Sequence, residues 1–283
     1  MTDIVTCTIT DGVADVRLNR PDKLNAVNPA MFGALGEMGD RLKNDTGVRA
    51  VVLSGEGRGF CSGLDFSAFQ AMAGQSDESF PPRADGAGDG GGTRIASGGV
   101  GDEGIVNGGQ YAAWVWYELP APVIAAIRGP ALGAGFQIAL ACDFRFVAPD
   151  AKLSALEMRW GLVPDMTGTQ MLPRLVGLDV ARELVYTGRM VSGEEAVQLG
   201  LATRVAEDPF EEAMAFAREL AGKSPHAIRG AKRLLSMAGV APLAEGFQAE
   251  ARTMGSLIGS PNNVEAVTAF FEKRDPKFED VTE

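Results

Sequence analysis

The chain has 283 residues, is 46% hydrophobic and 22% charged, and carries a formal net charge of -11. That charge argues against non-specific binding to nucleic acid or to an anionic membrane surface, because its long-range field repels both, so any anionic substrate must meet a local basic patch. No stretch approaches the roughly 18 consecutive apolar residues a membrane span needs, and Met1-Thr2-Asp3-Ile4 lacks a basic start followed by an apolar run, so a cytoplasmic address is expected.

Residues 4–9 and 13–19 predict a hairpin around Asp11-Gly12, since Val13, Asp15 and Arg17 alternate with Ala14, Val16 and Leu18. Asn28-Pro29 then opens a helix to about Asn44, with Met31, Leu35, Met38 and Leu42 as its apolar stripe. The strand Val48–Ser54 runs into a glycine-rich turn, Gly55 to Asp65. Residues 74–109 are rich in glycine, serine, aspartate and proline and read as a long loop or locally disordered segment. Its two G-x-G-x-x-G matches, Gly86/Gly88/Gly91 and Gly99/Gly101/Gly104, neither follow a strand nor open a helix, so a nucleotide-dependent dehydrogenase is set aside. The aromatic exit, Tyr111, Trp114, Trp116 and Tyr117, reads as a helix packed on the core.

A second strand-turn-helix follows. Val123–Ile127 feeds a turn holding Gly129, Pro130, Gly133 and Gly135, after which the spacing becomes helical through Asp143. Glycines at such a turn let another molecule approach the backbone, and the free N–H groups of the helix's first turn favour negative charge there. Two such turns can offer two N–H groups to one oxygen, which is what an oxyanion hole requires.

Beyond Asp143 come the strand Phe144–Val147, the segment Lys152–Arg159 and a helical stripe that continues after Leu172 through Ala181, Leu184 and Val185. Ser192 and Glu195 have capping-box spacing. Four helices opened by proline close the chain: Pro209–Lys223, Pro225–Ala238, Pro242–Gly259 and Pro261–Lys273. The three cysteines, Cys7, Cys61 and Cys142, are odd in number without C-x-x-C spacing and read as small buried hydrophobes. His226, the one histidine, falls at a helix start, and no metal site is expected.

Asn19-Arg20-Pro21 with Leu24-Asn25-Ala26, Gly59 to Asp65, and Pro122 through Asp143 resemble the crotonase (enoyl-CoA hydratase/isomerase) family. Gly161-Leu162, Gly168-Thr169-Gln170, Leu172-Pro173-Arg174, Gly177 and the ending Ala269 to Arg274 continue the likeness over nearly the whole chain. The resemblance implies an α/β fold: a spiral of repeated strand-strand-helix units over 1–206, with a glycine-rich insertion at 74–109 that is a candidate lid over the acyl pocket. It further implies a helical oligomerisation region over 207–283 that assembles as a homotrimer or a dimer of trimers.

By the same resemblance, the N–H groups of Leu64 and Ala134 form the oxyanion hole. The family's hydratases carry two glutamates; here Gln137 stands at the first position and Glu157 at the second. An amide can hydrogen-bond a water or a neighbouring carboxylate, but it neither takes nor gives a proton usefully at neutral pH. Asp165, eight residues after Glu157, matches an aspartate of the dienoyl-CoA isomerases and offers the second carboxylate; as a bare Pro-Asp turn residue it would only cap the next helix. Asp143 reads as structural, holding backbone N–H groups at a helix end.

Coenzyme A, carried as part of the substrate with no further cofactor, would be held by Lys23, Leu24, Ala26, Ser62 and Phe66, with Phe270 and Lys273 closing from a neighbouring subunit. The leading expectation is a double-bond shift in an enoyl- or dienoyl-CoA by Glu157 and Asp165. Hydration of a trans-2-enoyl-CoA, with Gln137 positioning water, is the alternative, and a non-catalytic acyl-CoA-binding protein is the reading from another class.

Overall fold

The computed structural model describes residues 3–67, 70 and 106–282. Most of the expected lid segment, and with it the lid expectation, lies outside the described residues. The elements are numbered here in chain order. β1 (Val5–Thr10) and β2 (Val13–Leu18) form the expected antiparallel hairpin. Its turn is made by Asp11 (φ 50) and Gly12 (φ 77), a left-handed pair typical of two-residue hairpins. α1 (Pro29–Lys43) starts where Asn28 accepts the N–H of Met31, with proline in its first turn.

After α1 come β3 (Ala50–Gly55), α2 (Gly108–Glu118), β4 (Val123–Ile127), β5 (Pro130–Leu132), α3 (Ala134–Leu140), β6 (Phe144–Val147) and β7 (Lys152–Ser154). A short 3-10 turn, Leu156–Trp160, leads to α4 (Gly168–Val176), α5 (Leu178–Thr187), β8 (Val191–Ser192), α6 (Gly193–Gln198) and β9 (Arg204–Val205). The chain ends in α7 (Pro209–Ala221), α8 (Pro225–Met237), α9 (Leu243–Leu257) and α10 (Pro261–Glu272).

The strands fall into two sheets, ordered β1-β2-β3-β4-β6-β9 and β5-β7-β8. Successive turns of the chain give one strand to each: β4 then β5, β6 then β7, and β8 then β9. This alternation winds the spiral. From β2 to β9 the large sheet is parallel, and its central strands are buried on both faces, so Val123 to Ile127 are continuously apolar rather than alternating.

The two faces of the large sheet bury different partners. Val16, Leu18, Val51, Leu53, Val123 and Ile127 pack with α1, α2 and α3 in the main core. Val13, Ala50, Val52, Ile124, Ala126 and Phe146 instead pack on Ala213, Ala217 and Ala221 of α7. Alanine every four residues lets α7 lie close to the sheet. The helical region drawn from residue 207 therefore begins with a helix that covers the sheet.

The four C-terminal helices appear where proline predicted them, with ends a few residues shorter. Two local readings are corrected. The stripe after Leu172 is two helices, because Gly177 (φ 79, ψ 166) breaks it. Ser192 accepts the N–H of Glu195 at 3.2 Å, but no reciprocal bond completes the capping box: the Glu195 carboxylate pairs with Arg189 at 2.7 Å. Among the described residues no helix is long and apolar enough to cross a membrane.

Candidate active site

Two glycine turns meet. A Cβ placed on Gly63 (φ +99) would sit 3.0 Å from the Leu132 carbonyl oxygen, and one on Gly133 (φ +51) would lie 3.9 Å from the Gly63 Cα. Both conformations favour glycine, and both positions lack room for a side chain. The turns are stitched by Cys61 N–H to Pro130 O and Leu132 N–H to Cys61 O, at 2.8 and 2.9 Å. On this seam Leu64 follows Gly63 and Ala134 opens α3, and neither N–H is used by a backbone partner among the described residues. Two free donors on abutting turns are what an oxyanion hole requires.

The first turn is braced from the N-terminal loop. Asn25, fully buried, donates to Glu56 O and Gly59 O at 3.0 and 2.8 Å and accepts from Arg20 N at 2.8 Å. Arg20 pairs with Asp65 at 2.9 Å just beyond Leu64 and ties the end of the turn to the N-terminal loop. Asn25 belongs to the motif that carried the family likeness, but its bracing role needs long-range contacts to become visible.

Glu157 reaches this seam. The Cβ built on Gly133 would lie 3.3 Å from Glu157 Oε1. That oxygen accepts from Gln137 Nε2 at 2.7 Å, while Oε2 is buried with no hydrogen-bond partner. Burial raises the Glu157 pKa, the bond from Gln137 pulls it down, and the negative charge of Asp165 adds to the rise. One oxygen is anchored and the other is free to take a proton.

Gln137 is 1% exposed and its orientation is dictated by its partners. Its Oε1 accepts the N–H groups of Met166 and Gly168 at 2.7 and 3.0 Å, so the amide nitrogen must face Glu157. The amide oxygen is fully occupied, which leaves a single N–H to offer a water. The side chain is a clamp joining α3, the Glu157 carboxylate and the turn that carries Asp165. Sequence reasoning missed this turn, because backbone donors have no residue signature.

Asp165 sits on that turn with its residue surface open to solvent, yet desolvation on its protein side still raises its pKa. It does not cap α4. The capping position is Thr167, left-handed at φ 74, which makes no side-chain cap and has a buried hydroxyl without a partner. A β-branched residue in that conformation is an outlier and stores strain beside the site.

Among the expected coenzyme A contacts, Lys23, Leu24, Ala26 and Ser62 are brought together. Ser62 N–H donates to Leu24 O at 2.9 Å, its hydroxyl donates to Lys23 O at 3.3 Å, and the Ala26 N–H donates to Lys23 O at 3.0 Å. Phe66 is 66% exposed nearby in sequence. Phe270 and Lys273 lie at the exposed end of α10, and no hydrogen bond or ion pair among the described residues joins them to that cluster. Asp143 bonds the Val123 N–H and Lys232, both at 2.7 Å: its role is structural, but the N–H it holds opens strand β4 rather than lying at a helix end. All three cysteines are free; Cys7, on the edge strand β1, is half-buried rather than buried as expected, while burial pushes the thiols of Cys61 and Cys142 up to about 12, so both stay neutral. Among the described residues no cluster of side chains could hold a metal ion.

Comparison with known proteins shows the family. The family described as enoyl-CoA hydratase/isomerase matches residues 93–281, and a second profile of the same description matches 13–87. A Bacillus subtilis relative named "Probable enoyl-CoA hydratase" is 34% identical, covering 94% of this chain and 95% of its own. The mitochondrial Delta(3,5)-Delta(2,4)-dienoyl-CoA isomerase of Mus musculus is 33% identical, covering 94% of this chain and 78% of its own. The crystal structure of an enoyl-CoA hydratase from Bacillus anthracis superposes with a TM-score of 0.82 at 31% identity, over 98% of this chain and 99% of that one. The chain has the crotonase fold and belongs to the crotonase family of enoyl-CoA hydratases and isomerases.

Proposed function

We propose that this acyl-CoA enzyme shifts a double bond in an enoyl- or dienoyl-CoA. The thioester oxygen lies between the N–H groups of Leu64 and Ala134. Glu157 Oε2 removes a proton from the carbon next to the carbonyl, and the electron pair moves into an enolate that the two N–H groups stabilise. The Asp165 carboxyl gives a proton to the far end of the conjugated system, the new double bond is then conjugated with the thioester, and the proton held by Glu157 passes back to Asp165 through solvent before the next turnover. The observation that carries this reading is the clamp: a neutral amide stands beside Glu157 with its oxygen already occupied, so the second acid must come from elsewhere, and Asp165 is the carboxyl group on the turn that Gln137 joins to Glu157.

Hydration of a trans-2-enoyl-CoA is the second reading, favoured by relatives named as hydratases. There Glu157 activates the water nearly alone and Gln137 contributes at most one N–H. In either reading Lys23, Leu24, Ala26, Ser62 and Phe66 hold coenzyme A, and no other cofactor is needed. Phe270 and Lys273 act from a second subunit of a homotrimer or dimer of trimers. Exposed apolar side chains on α9 and α10, including Leu243, Phe247, Met254 and Phe271, supply the surface for that assembly. The free cysteines fit a cytoplasmic, reducing setting.

The test is exchange of the proton next to the thioester carbonyl in heavy water. Glu157→Gln is expected to lose this exchange by about 10²-fold or more. Exchange at the full rate would remove Glu157 from both readings.

A further inference from the structure

A cavity of about 590 Å³ lies away from the catalytic seam, between α8, α4 and the ends of α2 and α3. None of Leu64, Ala134, Gln137, Glu157 or Asp165 lines it. It touches α3 only at Leu140, the end opposite to Ala134, so about 10 Å of helix separates it from the oxyanion donors. Its volume is that of a small-molecule site.

The lining combines apolar walls with unbalanced charge. Phe144, Leu175, Ile228 and Leu235 supply the walls. Arg145, Arg174 and Lys232 supply three cations against one carboxylate, Asp143, and Lys232 already pairs with that carboxylate at 2.7 Å. Arg145 is 4% exposed and donates to the carbonyls of Leu201 and Cys142 at 2.7 and 2.6 Å, with no carboxylate partner among the described residues. Arg174 is exposed at the rim, where its one hydrogen bond among the described residues is a long 3.4 Å contact to the Tyr117 hydroxyl. Tyr117 in turn donates to Ser236 O at 3.2 Å, which ties α2 to α8 across the opening. A chain of net charge -11 thus holds an apolar chamber with a surplus of positive charge.

We infer that this cavity binds an amphipathic monocarboxylate, its apolar tail between α8 and β6 and its carboxylate on Arg174. The planar guanidinium fork matches a carboxylate in a two-bond geometry, and such a bond is stronger than the long contact it would replace. A single small acid head fits because Arg174 is the cation without a close partner. The site is independent of the catalytic reading, since it shares no residue with it.

The probe is decanoate, titrated into the full-length protein by calorimetry. Saturable binding is expected, with the same affinity in Glu157→Gln. Decanol, with the same tail and no charge, should bind at least about tenfold more weakly, as should decanoate to Arg174→Ala, whose exposed side chain is not needed for folding. Ile228→Trp, which narrows the chamber, should weaken binding at least about tenfold, with circular dichroism confirming that the variant folds. Four outcomes would overturn the proposal: no saturable binding; equal binding by Arg174→Ala; undiminished binding by Ile228→Trp; or competition by acyl-CoA, which would place decanoate in the catalytic site.

Discussion

Gln137 supports two backbone N–H groups and the Glu157 carboxylate at once, and those three bonds set what its loss should cost. Gln137→Met keeps the side-chain length but leaves the N–H groups of Met166 and Gly168 without their acceptor. Each buried N–H orphaned in this way costs about 1–3 kcal/mol, so the variant should lose roughly 2–6 kcal/mol of a stability typically near 5–15 kcal/mol. Glu157 would also lose the bond that pulls its pKa down, and the acid limb of its exchange reaction should move to higher pH. Gln137→Glu separates the two effects. Its carboxyl still accepts both N–H groups but stands where the amide nitrogen was, 2.7 Å from Glu157 Oε1. Two carboxylates at that distance repel by roughly 6 kcal/mol at an effective dielectric of 20, so the pair should keep one proton through neutral pH. Denaturant unfolding and the pH profile of carbon exchange read both effects. The Met variant is expected to lose at least about 2 kcal/mol, and the Glu variant less than about 1 kcal/mol at neutral pH. A Met variant as stable as the wild type, with an unmoved acid limb, would refute the clamp.

Two further outcomes follow from the same turn. Glu157 has a pKa raised by burial, so its contribution to stability is fully present below the unfolded carboxylate value, about 4.3, and is lost as pH rises through the folded value. Glu157→Gln should therefore melt above the wild type at neutral pH, with the gap closing below about pH 4; an equal gap at all pH values would mean that burial of charge is not its origin. Thr167→Gly removes a β-branched residue from φ 74 and a buried hydroxyl without a partner. Relief of about 1–2 kcal/mol, less about 0.5–1 kcal/mol for the freedom of glycine in the unfolded chain, predicts a net gain near 1 kcal/mol. A loss on thermal unfolding would show that the hydroxyl supports the fold.

The parts of this architecture that were legible in the sequence are those set by neighbours along the chain. Asn28 before Pro29, Asp11-Gly12 between alternating strands, and Pro209, Pro225 and Pro261 at helix starts each act within one turn of backbone. The meeting of Gly63 with Gly133 was suggested by two similar turns, but their contact depends on the parallel pairing of β3 with β4, which no local pattern encodes. Glu157 was singled out only through family resemblance, since as a sequence it is an acid between apolar residues. The clamp was half legible: an amide in place of an acid can hydrogen-bond a neighbouring carboxylate, as Gln137 does with Glu157, but its other partners are backbone N–H groups of residues whose side chains are irrelevant to it. Gly168 does carry a trace of it, because a Cβ there would lie 2.8 Å from Gln137 Oε1. The Ser192 capping box failed for a similar reason, since Arg189 offers Glu195 a charged partner that the local pattern does not show.

The most direct test of the central claim is mass spectrometry of trans-2-enoyl- and trans-3-enoyl-CoA incubated with the protein in heavy water. Deuterium fixed on carbon without added water, together with conversion of one isomer to the other, is the predicted result, and Asp165→Asn should stop the conversion while leaving exchange next to the carbonyl. Gain of one water's mass at a comparable rate would contradict the assignment and make Glu157 the activator of that water.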